Sequence, residues 1–159
     1  MQLTKHTDFA FRVLIYLGSQ EKGDLSNIQV IAETFDMSRS HVMKIVQKLV
    51  AHGVIKSIRG QSGGIQMAKP LADIGLREIV ELMEPNLNPV NCDEPACLIR
   101  KSCQLKGVLF GAQRAFLEYL DGHTLADIVT PPVRSEVFLG ALSRTKELNR
   151  IKDSLKSSL

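Results

Sequence analysis

Apolar residues at the start of the chain recur at helical spacing: Leu3, Phe9 or Ala10, Val13, Leu14 and Leu17, with Thr4 placed to cap the run and Gly18 following it. The pattern predicts a first helix over about residues 4–18. Gly23 and Asp24 break it. Ser26, with Gln29 three residues later, then reads as a capping box ahead of Ile28, Ile31, Ala32 and Phe35, a short second helix. Asp36 and Met37 form a tight connection to Ser38, a further N-cap. Val42, Ile45, Val46, Leu49 and Val50 then share one helical face until Gly53. Two short helices so joined, behind a supporting helix, make a helix-turn-helix.

The periodicity next changes from helical to extended. Val54 to Ile58 reads as a strand, Arg59-Gly60-Gln61-Ser62-Gly63-Gly64 as a glycine-rich turn, and Ile65 to Ala68 as the return strand, which together form a wing. Pro70 ends it, and Ile74, Leu76, Ile79, Val80, Leu82 and Met83 supply a fourth helix closed by Pro85. From Asn86 to Ser102 the periodicity disappears. A longer helix resumes near Gln104, with Leu105, Val108, Leu109, Ala112, Phe116, Tyr119 and Leu120 three or four apart until Gly122. Its roughly 18 residues extend about 27 Å. Too little chain remains to cover that stripe, so the same helix of a second subunit is the expected cover. Thr124 caps a short turn through Ala126 and Val129 that Pro131 and Pro132 terminate. Beyond it, Val137, Phe138, Ala141, Leu142, Leu148 and Ile151 are equally compatible with a weak amphipathic helix and with disorder.

The expected fold is therefore mainly α: a winged helix-turn-helix with a β-hairpin wing and a long C-terminal dimerisation helix. Residues 1–84 form the DNA-binding domain, 85–103 a loop that carries chemistry, 104–130 the dimerisation helix and its following turn, and 131–159 a tail that can be flexible. At 159 residues the chain suits one compact domain with an extension rather than two cores of ordinary size. No apolar run approaches the roughly 18 to 20 residues that span a bilayer, so no membrane association is expected. Residues 1 to 7 do not read as a secretory signal, which leaves the cytoplasm as the expected location. The net charge of +3 is mild, but residues 1–70 hold nine Lys and Arg against five Asp and Glu. That bias suits a polyanion, although alone it is also what a solvated surface shows.

A helix-turn-helix reads DNA with the start of its second helix, which enters the major groove. Here that start holds Ser38, Arg39, Ser40, His41 and Lys44. Arg39 suits a bidentate contact to guanine, Ser40 and His41 can donate or accept, and Lys44 or Lys48 suits phosphate. Ser26, at the head of the preceding helix, joins the expected contact set. In the wing, Gly60 and Gly63 allow close backbone approach, and Arg59 and Lys56 set charge beside a groove. The glycines match no Walker loop or dinucleotide fingerprint, and no catalytic constellation is evident, so no enzymatic activity is expected.

Cys92, Cys97 and Cys103 fall within 12 residues, and the other 147 contain no cysteine. An odd number of thiols in a reducing compartment argues for free thiols or metal ligands over disulfides. The C-x4-C-x5-C spacing matches neither zinc ribbons nor bacterial ferredoxins. Soft thiolates favour an iron-sulfur cluster or zinc, with a further ligand from elsewhere.

In order along the chain, Leu3-Thr4-Lys5, Thr7-Asp8-Phe9-Ala10, the helix from Ser38 to Leu49, the glycine-rich wing, Leu76-Arg77-Glu78-Ile79-Val80 and the three-cysteine loop resemble the iron-sulfur winged-helix transcription regulators of the NsrR/IscR type. The resemblance covers about residues 1–129. It implies a homodimer with one iron-sulfur cluster per subunit, 4Fe-4S or 2Fe-2S, whose state controls binding to double-stranded operator DNA. One branch of that family places a histidine soon after the third cysteine. Here Gln104, Leu105, Lys106 and Gly107 follow. This favours the NsrR-like branch, in which nitric oxide is the signal and an acidic residue such as Asp8 of the partner subunit completes the ligand set. Asp8 reads equally well as a helix-terminal charge, and Asp93 and Glu94 are weaker candidates. The expected function is a repressor that loses its operator when nitric oxide attacks the cluster. A sister regulator of cluster supply, iron or redox state is the alternative, followed by a zinc-stabilised DNA-binding protein or an electron carrier.

Overall fold

A computed structural model describes residues 2–156, without the side chains of 145 and 147–156. The described residues form α1 (Lys5–Ser19), α2 (Ile28–Thr34), α3 (Arg39–Ala51), β1 (Ile55–Ile58), β2 (Gly64–Met67), a 3-10 turn (Leu71–Asp73), α4 (Leu76–Met83), α5 (Gln104–Asp121), α6 (Leu125–Ile128) and α7 (Pro131–Lys156). This is a mainly helical winged-helix fold with one two-stranded antiparallel hairpin.

Helix α1 is the central post. Ala10, Val13 and Leu14 are fully buried, as the 3.6-residue period requires for a helix covered along one stripe, and the helix packs on α3, α4 and α7. Helix α3 answers with Val42, Ile45 and Leu49, also fully buried. Between α2 and α3 the chain turns through Asp36 at φ 53°, a left-handed conformation that short polar side chains tolerate. The hairpin register pairs Ile55 with Met67 and Ile58 with Gly64. Ile55 and Ile65 face the core while the wing's outer residues meet solvent.

Two expectations are corrected. Asn27, not Ser26, caps α2, its side chain accepting from the Gln29 amide at 2.8 Å. Ser26 instead exchanges both backbone hydrogen bonds with Ile65, at 2.9 and 3.0 Å, so its extended backbone belongs to the sheet edge and its side chain is buried. The proline pair also does more than stop α6. Pro131 opens α7, because a first-turn proline forgoes an amide that has no helical partner.

Of the two states open to the tail, the structure takes the helix. Helix α7 lies on α1 and α2, with Val137 buried and Val133 and Ala141 packed against the core. The expected apolar contributions of Leu148 and Ile151 lie outside the described side chains, and residues 157–159 lie outside the described chain. Helix α5 leaves its own domain along its N-terminal half. Leu117 is buried, and the helix touches α4, but Leu105 and Val108 are 60% and 66% exposed.

Candidate nucleic-acid interface and cysteine loop

The head of α3 is a capped helix start with an exposed polar face. Ser38 caps it, its hydroxyl accepting from the His41 amide at 3.3 Å, and Ser40 lies within 3.3 Å of that hydroxyl. With Val42, Ile45 and Leu49 holding the inner face, Arg39, Ser40, His41 and Lys44 are left exposed on the outer one, and Lys48 is half-buried. Arg39 and Lys44 form no ion pair among the described residues, which leaves their charge available to a polyanion.

At the wing tip Arg59 is exposed and Gly60 takes φ 121°, a region closed to ordinary side chains. The Gly63 amide donates to the Gly60 carbonyl at 3.0 Å, and a Cβ on Gly63 would collide with the Ile58 carbonyl oxygen. The turn therefore keeps its shape through backbone contacts while presenting a cation. Ser26 is buried at the edge of this hairpin. Its backbone bridge to Ile65 anchors the wing to the start of α2.

The N-terminal turn of α1 joins the α3 surface. The Phe9 ring lies 6.3 Å from the His41 ring, and the Arg12 guanidinium stacks 5.7 Å from the centre of Phe9. Burial, followed by the nearby Lys48, holds the pKa of His6 below the ordinary histidine value. His41 and Lys44 act in the same direction, and Glu84 opposes them. The expected ligand Asp8 sits in this turn, paired with Arg12 at 2.9 Å within its own helix.

Glu84 has no local signature in the sequence, because its partners are about 80 residues away. Its carboxylate accepts from the Thr4 amide at 2.7 Å, from the Thr4 hydroxyl at 3.1 Å and from the fully buried Thr7 hydroxyl. Burial pushes the Glu84 pKa up, but the hydrogen bonds from Thr7 and Thr4, with His6 nearby, outweigh that and hold it below the ordinary value. This latch ties the end of α4 to the first turn of α1. The cysteine loop begins one residue later.

Local turns organise the loop. The Asn91 side chain accepts from the amides of Asp93 and Glu94, the Cys97 amide donates to the Cys92 carbonyl at 3.1 Å, and Arg100 pairs with Asp93 at 2.6 Å. All three cysteines are free thiols, Cys92 and Cys103 half-buried and Cys97 exposed. Cys103 is the N-cap of α5, the helix end that favours negative charge. Three unpaired thiols on one short loop are a donor set that fits an iron-sulfur cluster. Among the described residues no three His, Cys, Asp or Glu side chains are set to hold a single metal ion.

A three-helix head, a glycine-shaped wing and an exposed polar start to α3 define a winged helix-turn-helix regulator. The model of the Rrf2 family, described as iron-dependent transcriptional regulator, matches residues 3–131, and the chain belongs to that family. Among solved structures, the chain is similar to CymR (YrzC), the global cysteine regulator of B. subtilis, at 23% identity and a TM-score of 0.68, over 81% of this chain and 96% of that one. It is similar to the oxidized form of Staphylococcus aureus CymR at 22% identity and a TM-score of 0.67, with the same coverage. A third similar structure is T. potens IscR, at 21% identity and a TM-score of 0.66, over 81% of this chain and 86% of that one. Among the described residues no helix is long and apolar enough to cross a membrane.

Proposed function

We propose that this Rrf2-family regulator acts as a homodimeric repressor of double-stranded operator DNA, that Cys92, Cys97 and Cys103 hold an iron-sulfur cluster in each subunit, and that nitric oxide releases the operator. One observation carries the reading: the cysteine loop is spliced between the Glu84 latch on α1 and the N-cap of α5. Order in the loop therefore bears both on the helix proposed for dimerisation and on the helix end that meets α3.

When bound, the cluster would supply irons that react with nitric oxide. The protein's part is mechanical. The thiolates would fix the loop, Glu84 fixes its first residue relative to Thr4 and Thr7, the Phe9 ring lies beside His41 of α3, and His6 is within electrostatic reach of Lys48. The exposed Leu105 and Val108 of α5 suit the matching face of a second copy, which would set the spacing of the two α3 helices. A symmetric dimer must match half-sites about one helical turn or its multiples apart, so a small change in that spacing weakens both half-site contacts. On this reading Arg39, Ser40 and His41 face base edges while Ser38, Lys44, Lys48 and the wing residues Arg59, Gly60 and Gly63 follow the backbone or groove. Asp8 as a ligand from the partner subunit would have to exchange its pairing with Arg12.

The exposure of Cys97 favours one alternative, a redox-sensing regulator that responds to oxidants at the thiols. Anaerobic absorption spectra of the wild type and of Cys92→Ser, Cys97→Ser and Cys103→Ser, with operator binding measured on the same samples, test the proposal. A broad visible band that each substitution removes, together with specific binding, is the expected result. Three variants with normal spectra and normal binding would refute the ligand assignment. Release of the operator by peroxide but not by nitric oxide would establish the redox alternative.

A further inference from the structure

Away from the cysteine loop, a cavity of about 590 Å³ opens between the end of α1, the back of the wing, the 3-10 turn and the first turn of α7. Its size is that of sites that enclose metabolite-sized ligands. Four cations reach its lining, Lys22, Lys56, Lys69 and Arg134, against the acids Glu21 and Asp24. Lys69 is partly neutralised by Glu78 at 3.7 Å, and the Arg134 Nε donates to the Val129 carbonyl at 3.4 Å, which sets its guanidinium at the rim. Leu17, Met67 and Leu71 supply an apolar part of the wall.

We propose that this cavity binds a small amphipathic anion, a carboxylate or phosphate with a compact apolar body. The cations meet the charged group, and the apolar wall meets the rest. A lining that adds apolar side chains to the cations distinguishes a ligand cavity from a plain basic surface. Two features connect it to regulation. Lys56, Gln66 and Met67 belong to the wing strands, with Lys56 opposite Gln66 in the register, so an occupant touches the base of the wing. Arg134 of α7 lies beyond the residues 3–131 that match the family model, whereas the rest of the lining falls within them. The site makes no use of the cysteines, and its test is independent of the cluster reading.

Anilinonaphthalene sulfonate, a fluorescent amphipathic anion that brightens in apolar surroundings, is a suitable probe on the full-length native protein. N-phenylnaphthylamine, which lacks the charge, is the control. The expected result is one saturable site for the anion, weakened about tenfold by Lys22→Gln and by Arg134→Gln, as loss of a charge-assisted hydrogen bond predicts. The neutral control should be little changed by either substitution, and circular dichroism should confirm that both variants fold. Absence of saturable binding, or equal binding by wild type and both variants, would overturn the proposal. So would failure of the anion to bind combined with a flatter salt dependence of operator binding in the variants, which would assign these cations to the DNA backbone.

Discussion

Replacing Glu84 with Ala removes the acceptor for the Thr4 amide, the Thr4 hydroxyl and the Thr7 hydroxyl at once. Thr4 is exposed and can turn to water, so its two bonds are cheaply replaced. Thr7 is fully buried, and among the described residues its hydroxyl's other partner is the Thr4 hydroxyl at a long 3.4 Å. Stranding that hydroxyl dominates the cost, and about 2 kcal/mol of stability should be lost, within the range for a buried donor left without its partner. Urea denaturation of Glu84→Ala, Thr7→Val and the double variant measures it. The double variant should cost clearly less than the two single losses added, because the partners share one interaction. The pH dependence gives an independent check. A carboxylate held below its ordinary pKa stabilises the fold above the unfolded value near 4.5, and the contribution disappears as pH falls through the lower folded value. Glu84→Gln should remove that portion of the acid sensitivity. Additive losses in the cycle, or an unchanged acid profile in Glu84→Gln, would refute the latch.

Arg39→Ala should cost about 1 to 3 kcal/mol at one base position if the side chain reads a base edge, and equal loss on specific and random duplexes would contradict that role. Arg59→Ala should weaken binding across sequences and lower the steepness of its salt dependence, measured by titrating chloride in an anisotropy assay. Val137→Ala should lower unfolding stability by about 1.5 kcal/mol, two buried methylene equivalents, because α7 is docked on α1 and α2. A change below the precision of the urea midpoint would mean that α7 does not hold to the core.

The helical head was readable because Val13, Leu14, Val42, Ile45 and Leu49 mark their faces through local periodicity, and Ser38 marks its cap. The wing was readable to within a residue for similar reasons, its tip being spelled by glycines. Ser26 misled because two caps stood side by side. The pairing with Ile65 that decides between them spans about 40 residues and leaves no local trace. The same holds for Glu84 with Thr4 and Thr7, and for the docking of α7, whose few inward residues alternate with exposed Phe138, Leu139 and Leu142. Clustering within 12 residues, together with the family resemblance, singled out the three cysteines. They share a segment of local turns, and their role as ligands is a proposal.

The central claim is that nitric oxide and the operator compete through the cysteine loop. Its most direct test is an anaerobic titration of nitric oxide into the purified protein bound to fluorescent operator, with visible absorption and anisotropy recorded on the same sample. The account predicts that the visible band and the bound fraction change together, and that a Cys92→Ser sample shows neither signal. An operator affinity that stays unchanged after the band has fully reacted would contradict it.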